Sequence, residues 1–320
     1  MASRSRSLNL AYRPLFSLGF PIFSWSVRHM PLRLLYFLGE WITLIFFFLR
    51  PKYARAVRSN FSQILGKPAD GVQVRSAARR MGGNHARYWI DFFYWSERGP
   101  SEAACAVVDV RNVEALDRCI AARRGCIAMT AHIGNWEMGG LILDRRGVKL
   151  AVVYIPDRFD AVEHQRSAYR RKAGVTEIPL TGDPFSALAA LRILREGGVV
   201  AVQGDRDFDN SGVAVPFFGR PAFFPRGPAV LSLLSGAPIL PVFIVRAGRP
   251  GEPDAGGFRV IFFDPIEPEG DVRSENAAEA MTRRSVSAIE ATIREYPDQW
   301  YCFYPFWEDP TRGTAPTAET

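Results

Sequence analysis

The chain has 320 residues, 48% of them hydrophobic, and this length and composition allow one large buried core. Its formal net charge of +7 suits an anionic partner, but it has no low-complexity basic tract and no RNA-binding aromatic signature. This composition disfavours nucleic acid as a partner and favours lipid headgroups or an acidic protein. The four cysteines form no CxxC and no metal-type pairing, so we expect reduced thiols in a cytosol-facing protein.

The N-terminal segment is rich in apolar residues. A helix over the run Leu34–Leu49 would be about 24 Å long, shorter than the roughly 30 Å hydrocarbon core of a bilayer. An upstream apolar stretch, Leu15–Val27, is broken by Pro21. Three interpretations of the longer run stay open: a membrane-embedded anchor, a helix in the membrane interface and a core helix. We predict that residues 1–53 form a membrane-anchor segment without a cleaved signal peptide. The run has basic residues on both sides, which indicate no orientation: Arg28, Arg33, Arg50, Lys52, Arg55 and Arg58.

Helical and strand patterns alternate after this segment. Val72–Trp95 has helical periodicity, and the patterns that follow predict strands separated by helices. This order predicts an α/β fold with a largely parallel sheet flanked by helices. We expect one main domain over residues 54–310 and a disordered tail over residues 311–320. The other predicted helices cover 112–123, 138–146, 160–172, 184–196 and 274–296, and the predicted strands cover 125–130, 148–155, 199–203, 238–245 and 258–263.

The turn after the predicted strand 125–130 has the composition of an active site. Its sequence, Ala131–Glu137, joins a strand to a helix, which is where α/β enzymes place their chemistry. His132 can take a proton from an alcohol near neutral pH, and Glu137 can fix the tautomer of its ring. No nucleophile accompanies this pair, so the attacking hydroxyl would belong to the substrate. An isolated histidine is usually a hydrogen-bonded loop residue, and we keep that interpretation for His29, His85 and His164.

The string from His132 to Glu137 resembles the HxxxxD/E motif of the glycerolipid acyltransferase superfamily, in the HxGNWE form of the lipid A late acyltransferases. The phosphatidylinositol mannoside acyltransferases are similar. Glu137 replaces the Asp of the glycerol-phosphate enzymes and their EGTR block is absent, which points away from lysophosphatidate as acceptor. The resemblance runs from about Pro31 to Trp307. Four further blocks carry it: Val152–Arg158, Gly197–Phe208, Val215–Ala222 and Gly236–Val242.

This resemblance implies acyl transfer with His132 as general base and Glu137 as the residue that holds it. We expect the backbone N–H groups of Gly134 and Asn135 to stabilise the oxyanion, with Arg158 as a further candidate. The resemblance also implies that Arg158 binds a phosphate or the donor's phosphopantetheine. The remaining candidate residues orient acceptor hydroxyls or form a structural ion-pair cluster: Asp205, Arg206 and Asp207. No covalent acyl-enzyme, cofactor or metal is implied, because the chain has no GxSxG elbow and the family needs no metal.

The resemblance also implies the partners and the location. The donor would be acyl carrier protein or acyl-coenzyme A, and the acceptor a lipid A precursor or similar glycolipid at an anionic membrane. The location would be the inner membrane of a bacterium, with the active site facing the cytoplasm. Arg166 and Arg170 on the predicted helix 160–172 would be solvated or, beside an active site, would suit an anionic lipid or an acidic carrier. The segment Trp300–Trp307 is expected to pack in the core and toward the membrane rather than to form part of the site. Three alternatives stay open: a coenzyme A-dependent phosphoinositide mannoside acyltransferase, a thioesterase and an inactive lipid-binding protein.

Overall fold

A seven-stranded sheet forms the centre of the molecule in a computed structural model, which describes residues 19, 21–139, 147–157, 159–180, 185–208, 210–248 and 257–307. Its strands are β1 (Val107–Arg111), β2 (Cys126–Thr130), β3 (Leu150–Tyr154), β4 (Thr176–Pro179), β5 (Val199–Gln203), β8 (Ile239–Arg246) and β9 (Phe258–Phe262), and a separate hairpin consists of β6 (Val213–Phe217) and β7 (Arg220–Phe224). The strand order in the sheet is β1-β9-β8-β2-β5-β3-β4. Every neighbouring pair is parallel except β8 and β9, so the predicted α/β fold with a largely parallel sheet is confirmed.

Helices cover both faces of this sheet. The predicted helix over 138–146 begins as a 3-10 turn, Trp136–Gly139, and its later residues lie outside the described part of the chain. The helices are α1 (21–29), α2 (Leu32–Leu49), α3 (Pro51–Leu65), α4 (Val72–Arg98), α5 (Pro100–Ala104), α6 (Val113–Ala121), α7 (Asp160–Lys172), α8 (Phe185–Arg195), α9 (Gly227–Ser235) and α10 (Glu275–Glu295), and a second 3-10 turn covers Pro297–Gln299. The sequence patterns missed β1, β4, the β6–β7 hairpin and four of these helices: α1, α3, α5 and α9.

The central strands are buried on both sides because helices cover both faces of the sheet, and successive side chains of a strand point to opposite faces. On β2, Ile127 and Met129 join a core with α8, α9 and α10, whereas Cys126 and Ala128 join a second core with α2, α4 and α6. This explains why the strand is a continuous apolar run rather than an alternating one. Three cysteines are buried and Cys105 is exposed.

The N-terminal helices lie against α4. By length and composition α2 could cross a membrane, and 11% of its apolar window is buried. Glycines permit its close approach to α4: a Cβ at Gly82 would lie 2.5 Å from the Cγ2 of Thr43. The boundary at residue 53 stays a prediction, but α2 packs on the main domain along its inner side.

Candidate active site

The candidate base stands at the carboxyl edge of the sheet, between two central strands. β2 and β5 are parallel neighbours, and Thr130 pairs with Gln203 at their ends. His132 and Asp205 each follow their strand end by two residues, so the equal offset brings them together. The Nδ1 of His132 lies 2.7 Å from the Oδ1 of Asp205. The strand register therefore builds a histidine–carboxylate pair from residues 73 positions apart.

Asp205 is held by three hydrogen bonds and its side chain is only 1% exposed. Besides the ring nitrogen, the backbone N–H of His132 donates to Oδ2 at 3.1 Å, and the Trp300 indole N–H donates to the same oxygen at 3.1 Å. The backbone N–H of Tyr301 donates to the carbonyl oxygen of His132 at 2.9 Å, which fixes the turn from the other side. This arrangement orients the ring and leaves Nε2 as the nitrogen that can accept a proton.

The electrostatic surroundings keep the base neutral. Burial lowers the pKa of His132 below its ordinary value and the nearby Arg206 cation adds to this, while Asp205 acts in the opposite direction. Burial alone would raise the pKa of Asp205, but the charge of His132 and the hydrogen bond to its ring lower that pKa to about 2. At neutral pH the pair is therefore an imidazole beside a carboxylate, which suits a general base.

Glu137 does not hold His132, so the predicted role needs correction. The Nη2 of Arg170 donates to its Oε1 at 3.0 Å, and the Nε of Arg166 lies 3.5 Å from the same oxygen. The 3-10 turn that starts at Trp136 carries Glu137 to these arginines rather than back to the imidazole. Asp205 takes the position beside the ring that the motif spacing assigned to Glu137.

The two predicted oxyanion donors are already engaged. The backbone N–H of Gly134 donates to the carbonyl oxygen of Gln299 at 2.9 Å, and that of Asn135 donates to the carbonyl oxygen of Ile244 at 2.8 Å. Gly134 has a φ of 61°, and a Cβ there would lie 1.9 Å from the oxygen of Ile244. These two residues therefore anchor the turn to β8 and to the C-terminal segment, and their N–H groups cannot serve an oxyanion as predicted.

Of the remaining predicted residues that the structure describes, one lines the cavity and another stabilises a turn beside it. Arg158 lies outside the described residues. Arg206 lines the cavity beside His132 and donates from Nη2 to the carbonyl oxygen of Tyr301 at 2.8 Å. Asp207 accepts from the backbone N–H of Gly212 at 2.9 Å, which closes a turn. In the described part of the chain, no three His, Cys, Asp or Glu side chains converge to hold a metal ion.

A cavity of about 370 Å³ opens beside His132. Side chains of β2, β3, β5 and β8 form its floor, and α4, α6 and α7 form its walls. Its lining combines apolar side chains of the strands and of α6 with charged side chains of α7 and of the turns that follow β2 and β5. The apolar residues include Leu116, Ala128, Leu150, Ala201, Leu240 and Phe262, and the charged ones include Glu137, Arg166, Arg170 and Arg206.

Several cavity residues were not predicted from the sequence. His85, interpreted as a loop residue, lies on α4, lines the cavity and packs its ring 4.8 Å from that of Phe303. Burial lowers the pKa of His85 to about 3, helped by the charges of Arg206 and His132. The C-terminal aromatic segment also belongs to the site, because Trp300 binds Asp205 and Phe303 lines the cavity wall.

The basic helix α7 is a cavity wall rather than a docking surface at these positions. The side chain of Arg166 is 14% exposed and that of Arg170 is 6% exposed. Arg166 also pairs with Asp157 at 3.2 Å, and Arg170 pairs with Glu177 at 3.2 Å. The prediction that these two arginines suit an acidic carrier is therefore wrong for the folded protein, where both are buried and paired.

Comparison with known proteins assigns the family. A model of the bacterial lipid A biosynthesis acyltransferases matches residues 1–309. The chain belongs to this family. The phosphatidylinositol mannoside acyltransferase of Mycolicibacterium smegmatis is 29% identical over 254 residues, which is 78% of either chain. That of Mycobacterium tuberculosis CDC 1551 is 28% identical over 265 residues, 82% of this chain and 79% of that one.

Among solved structures, the chain is similar to the 1-acyl-sn-glycerophosphate acyltransferase of Thermotoga maritima. The TM-score is 0.37 at 15% identity, over 80% of this chain and 97% of that chain. The α/β assignment follows from the sheet itself. Membership of the lipid A biosynthesis acyltransferase family confirms the resemblance that the HxGNWE string indicated, and it shows that the protein is an acyltransferase of glycolipid synthesis.

Proposed function

We propose that this family member moves a fatty acyl chain from a thioester to a hydroxyl of a lipid A precursor or similar glycolipid, with His132 as general base and Asp205 as its orienting partner. The observation that carries the proposal is the neutral His132–Asp205 pair beside a cavity with both apolar and charged lining residues. A carboxylate that touches the imidazole is more consistent with acyl transfer than an isolated histidine is, because it stabilises the imidazolium that forms.

The proton and bond changes balance without a covalent enzyme intermediate. Nε2 of His132 takes the proton of the acceptor hydroxyl while its oxygen attacks the thioester carbonyl carbon. The C–S bond then breaks, the ester forms, and the imidazolium returns its proton to the leaving thiolate. The charge of Arg206 lowers the pKa of His132 and so helps to keep the ring neutral before this transfer, while the N–H groups of Gly134 and Asn135 stay engaged with backbone carbonyl oxygens.

The apolar part of the cavity would hold the acyl chain. Two alanines, Ala128 and Ala201, pair in register on β2 and β5, and their small side chains leave space in the cavity. Burying a methylene group contributes about 0.8 kcal/mol, so each methylene of the acyl chain that no longer fits in the cavity weakens donor binding about fourfold. Ala201→Leu should therefore shift donor preference toward shorter acyl chains, measured as kcat/KM over a series of chain lengths.

A second acceptor is supported by the relatives, which are named phosphatidylinositol mannoside acyltransferases. A coenzyme A thioester is the alternative donor in that case. The buried Arg166 and Arg170 cannot form the carrier surface, so the choice between acyl carrier protein and coenzyme A rests on the assay. A folded protein that transfers no acyl chain from either donor would favour the inactive lipid-binding alternative. Release of fatty acid alone would favour a thioesterase.

We place the enzyme at the inner membrane of a bacterium, with its active site facing the cytoplasm. The exposed apolar side chains of α2 and the net charge of +7 support an anionic membrane surface. The three buried cysteines and the exposed Cys105, all reduced, are consistent with a cytosolic environment. The domain division into an anchor segment, a main domain and a tail belongs to this proposal.

The deciding experiment is a two-by-two assay with purified protein. Acyl carrier protein and coenzyme A thioesters are each offered with a lipid A precursor and with a phosphatidylinositol mannoside, and the acylated lipid is identified by mass spectrometry. We expect an acylated glycolipid that His132→Ala does not produce. His164→Ala is the control, because His164 is exposed on α7 and bonds only to the Asp160 carbonyl oxygen among the hydrogen bonds described. Product formation by His132→Ala at the parent rate would refute the proposal.

A further inference from the structure

We infer that α2 lies flat in one leaflet of an anionic bilayer, with its outer face in the lipid and its inner face as a structural part of the catalytic domain. The helix does not span the bilayer. This inference rests on the proposed membrane location but not on the acyl chemistry.

The outer face of α2 is apolar along its whole length. Nine large hydrophobic side chains of this helix are at least 39% exposed, and they recur at the three- and four-residue spacing of one helix face. The most exposed are Ile42 at 66%, Leu49 at 66% and Phe48 at 84%. A soluble monomer rarely exposes a continuous apolar patch of this size, so the face needs an apolar environment.

The inner face of α2 is fastened to α4 by polar contacts that exclude lipid on that side. The Tyr36 hydroxyl donates to Asp91, and Asp91 also pairs with Arg246 of β8. One turn farther along, Arg87 pairs with Glu40 at 2.5 Å. Because these contacts reach the central sheet, α2 cannot leave α4 without exposing a buried carboxylate and a buried guanidinium.

A spanning orientation conflicts with this packing. An 18-residue helix is about 27 Å long, close to the roughly 30 Å of the hydrocarbon core. If α2 crossed the bilayer, the adjoining stretch of α4 and the sheet edge behind it would lie at hydrocarbon depth. Glu40, whose side chain is 41% exposed, and Arg87 would lie there too, which is costly for ionised groups.

The distribution of charge fits a helix in the interfacial plane. Arg33 lies in the first turn of α2, Arg50 and Lys52 follow the helix, and all three are exposed. Basic residues at both ends give no orientation for a spanning helix, but a flat helix places both ends at the same layer of anionic headgroups. This charge complementarity commits the face to a lipid surface rather than to a second copy of the chain.

A flat α2 also brings the membrane close to the cavity. In the described part of the chain α4 lies between the two: Thr43 of α2 donates a hydrogen bond to the Gly82 carbonyl oxygen at 3.3 Å, while His85 and Trp89 of α4 line the cavity. The ring of Phe47 lies 6.3 Å from that of Phe303, another cavity residue. The outer face of α2 and the cavity therefore lie on opposite sides of α4.

Vesicle flotation tests the lipid-facing assignment. We expect the parent protein to float with vesicles of phosphatidylcholine and phosphatidylglycerol, and less with phosphatidylcholine alone. The pair Leu38→Lys and Ile42→Lys should lose most of this binding. The matched control pair is Leu188→Lys and Leu234→Lys, on helices α8 and α9 of the opposite layer, where Leu188 is 57% exposed and Leu234 is 47% exposed. Equal flotation of the two pairs would overturn the assignment.

A second measurement covers the case in which the α2 variants fail to fold and separates flat from spanning. Arg33→Cys and Lys52→Cys are made singly in a Cys105→Ser background, because Cys105 is the exposed native thiol. A membrane-impermeant maleimide is applied to sealed vesicles of each orientation. Labelling of both positions from the same side is expected, and labelling from opposite sides would show a spanning helix.

Two further outcomes distinguish a lipid-facing α2 from a dimer interface and from the proposed acyl transfer. A stable dimer without lipid, which the Lys pair dissociates while both forms still float equally, would assign the face to a second copy and overturn the inference. Loss of transfer to a vesicle-embedded acceptor, with detergent-dispersed acceptor still used, would support it. Flotation requires no substrate, so its result stands even if the proposed acyl transfer is wrong.

Discussion

Two acidic regions, Asp205 behind the His132 ring and Glu137 in the cavity wall, differ in how their charge is balanced. At the strand ends, Asp205 contacts an imidazole, a backbone N–H and an indole N–H, so the carboxylate acts directly on the base. On the α7 side, Glu137 lies between Arg166 and Arg170, which neutralise it. The motif spacing predicts a contact between His132 and Glu137, but the register of β2 and β5 places Asp205 beside the ring instead.

The largest effect should come from removing the base that both regions surround. His132→Ala should lower kcat by roughly 10²- to 10⁴-fold, because the acceptor hydroxyl then loses its proton acceptor. The measurement is single-turnover acyl transfer at saturating substrates, with His164→Ala as the control. A loss of less than about tenfold would be too small for a general base and would remove the basis of the comparison between Asp205 and Glu137.

Asp205→Asn should be nearly as severe. Loss of the carboxylate removes the group that selects the ring tautomer and stabilises the imidazolium, so we expect about 10²-fold loss in kcat. Asp205 raises the pKa of His132, and its removal should also move the acid limb of the kcat/KM profile to lower pH. The exposed Asp264→Asn, whose parent side chain pairs with Arg118, should leave both quantities unchanged. A lower rate without movement of the limb would indicate a structural role for Asp205.

Glu137→Gln should affect stability more than chemistry. Its side chain is 7% exposed and balances two buried arginines, which keep Asp157 and Glu177 as other partners. We therefore expect a loss of about 2 kcal/mol in the free energy of unfolding, below the 3–5 kcal/mol for a lone buried pair.

Glu196→Gln is the matched control for this change. Glu196 also accepts from two cations, Lys149 and Arg192, but its side chain is 38% exposed and solvent screens these pairs, so the free energy of unfolding should stay nearly unchanged. Urea unfolding gives both values. If Glu137→Gln instead moves the acid limb of activity as Asp205→Asn does, Glu137 acts on the base and our distinction between the two regions is wrong.

The sequence predicted the strand and the turn that carry His132, but not the side chain that contacts its ring. The apolar run of β2 and the polar turn after it are local patterns, so they placed His132 at a strand end correctly. The partner could not be found from spacing, because the adjacency of β2 and β5 depends on the order of the whole sheet. The signal that existed was the equal two-residue offset of His132 and Asp205 from their strand ends.

Local patterns also misjudged groups whose burial depends on distant segments. Arg166 and Arg170 have a helical spacing typical of a solvated face, yet Glu137, Asp157 and Glu177 neutralise them beneath α4. Short elements such as β1 and β4 were missed because four or five residues carry little periodicity. For α2 the sequence left anchor, interface and core open, since only the packing on α4 shows which face is outward.

The smallest expected effect concerns Arg206, which opposes Asp205 at the same base. Burial is the main cause of the lowered pKa of His132, and the Arg206 cation lowers that pKa further, whereas Asp205 raises it. Arg206→Gln should therefore raise the pKa of His132. Because the neutral ring is the active form, the acid limb of kcat/KM should move to higher pH, opposite to the movement in Asp205→Asn. Arg192→Gln removes the same charge from an exposed position on α8 and should leave the limb in place. If Arg206→Gln and Asp205→Asn move the limb in the same direction, the two side chains do not act on His132 through their charges, and the electrostatic account of this base fails.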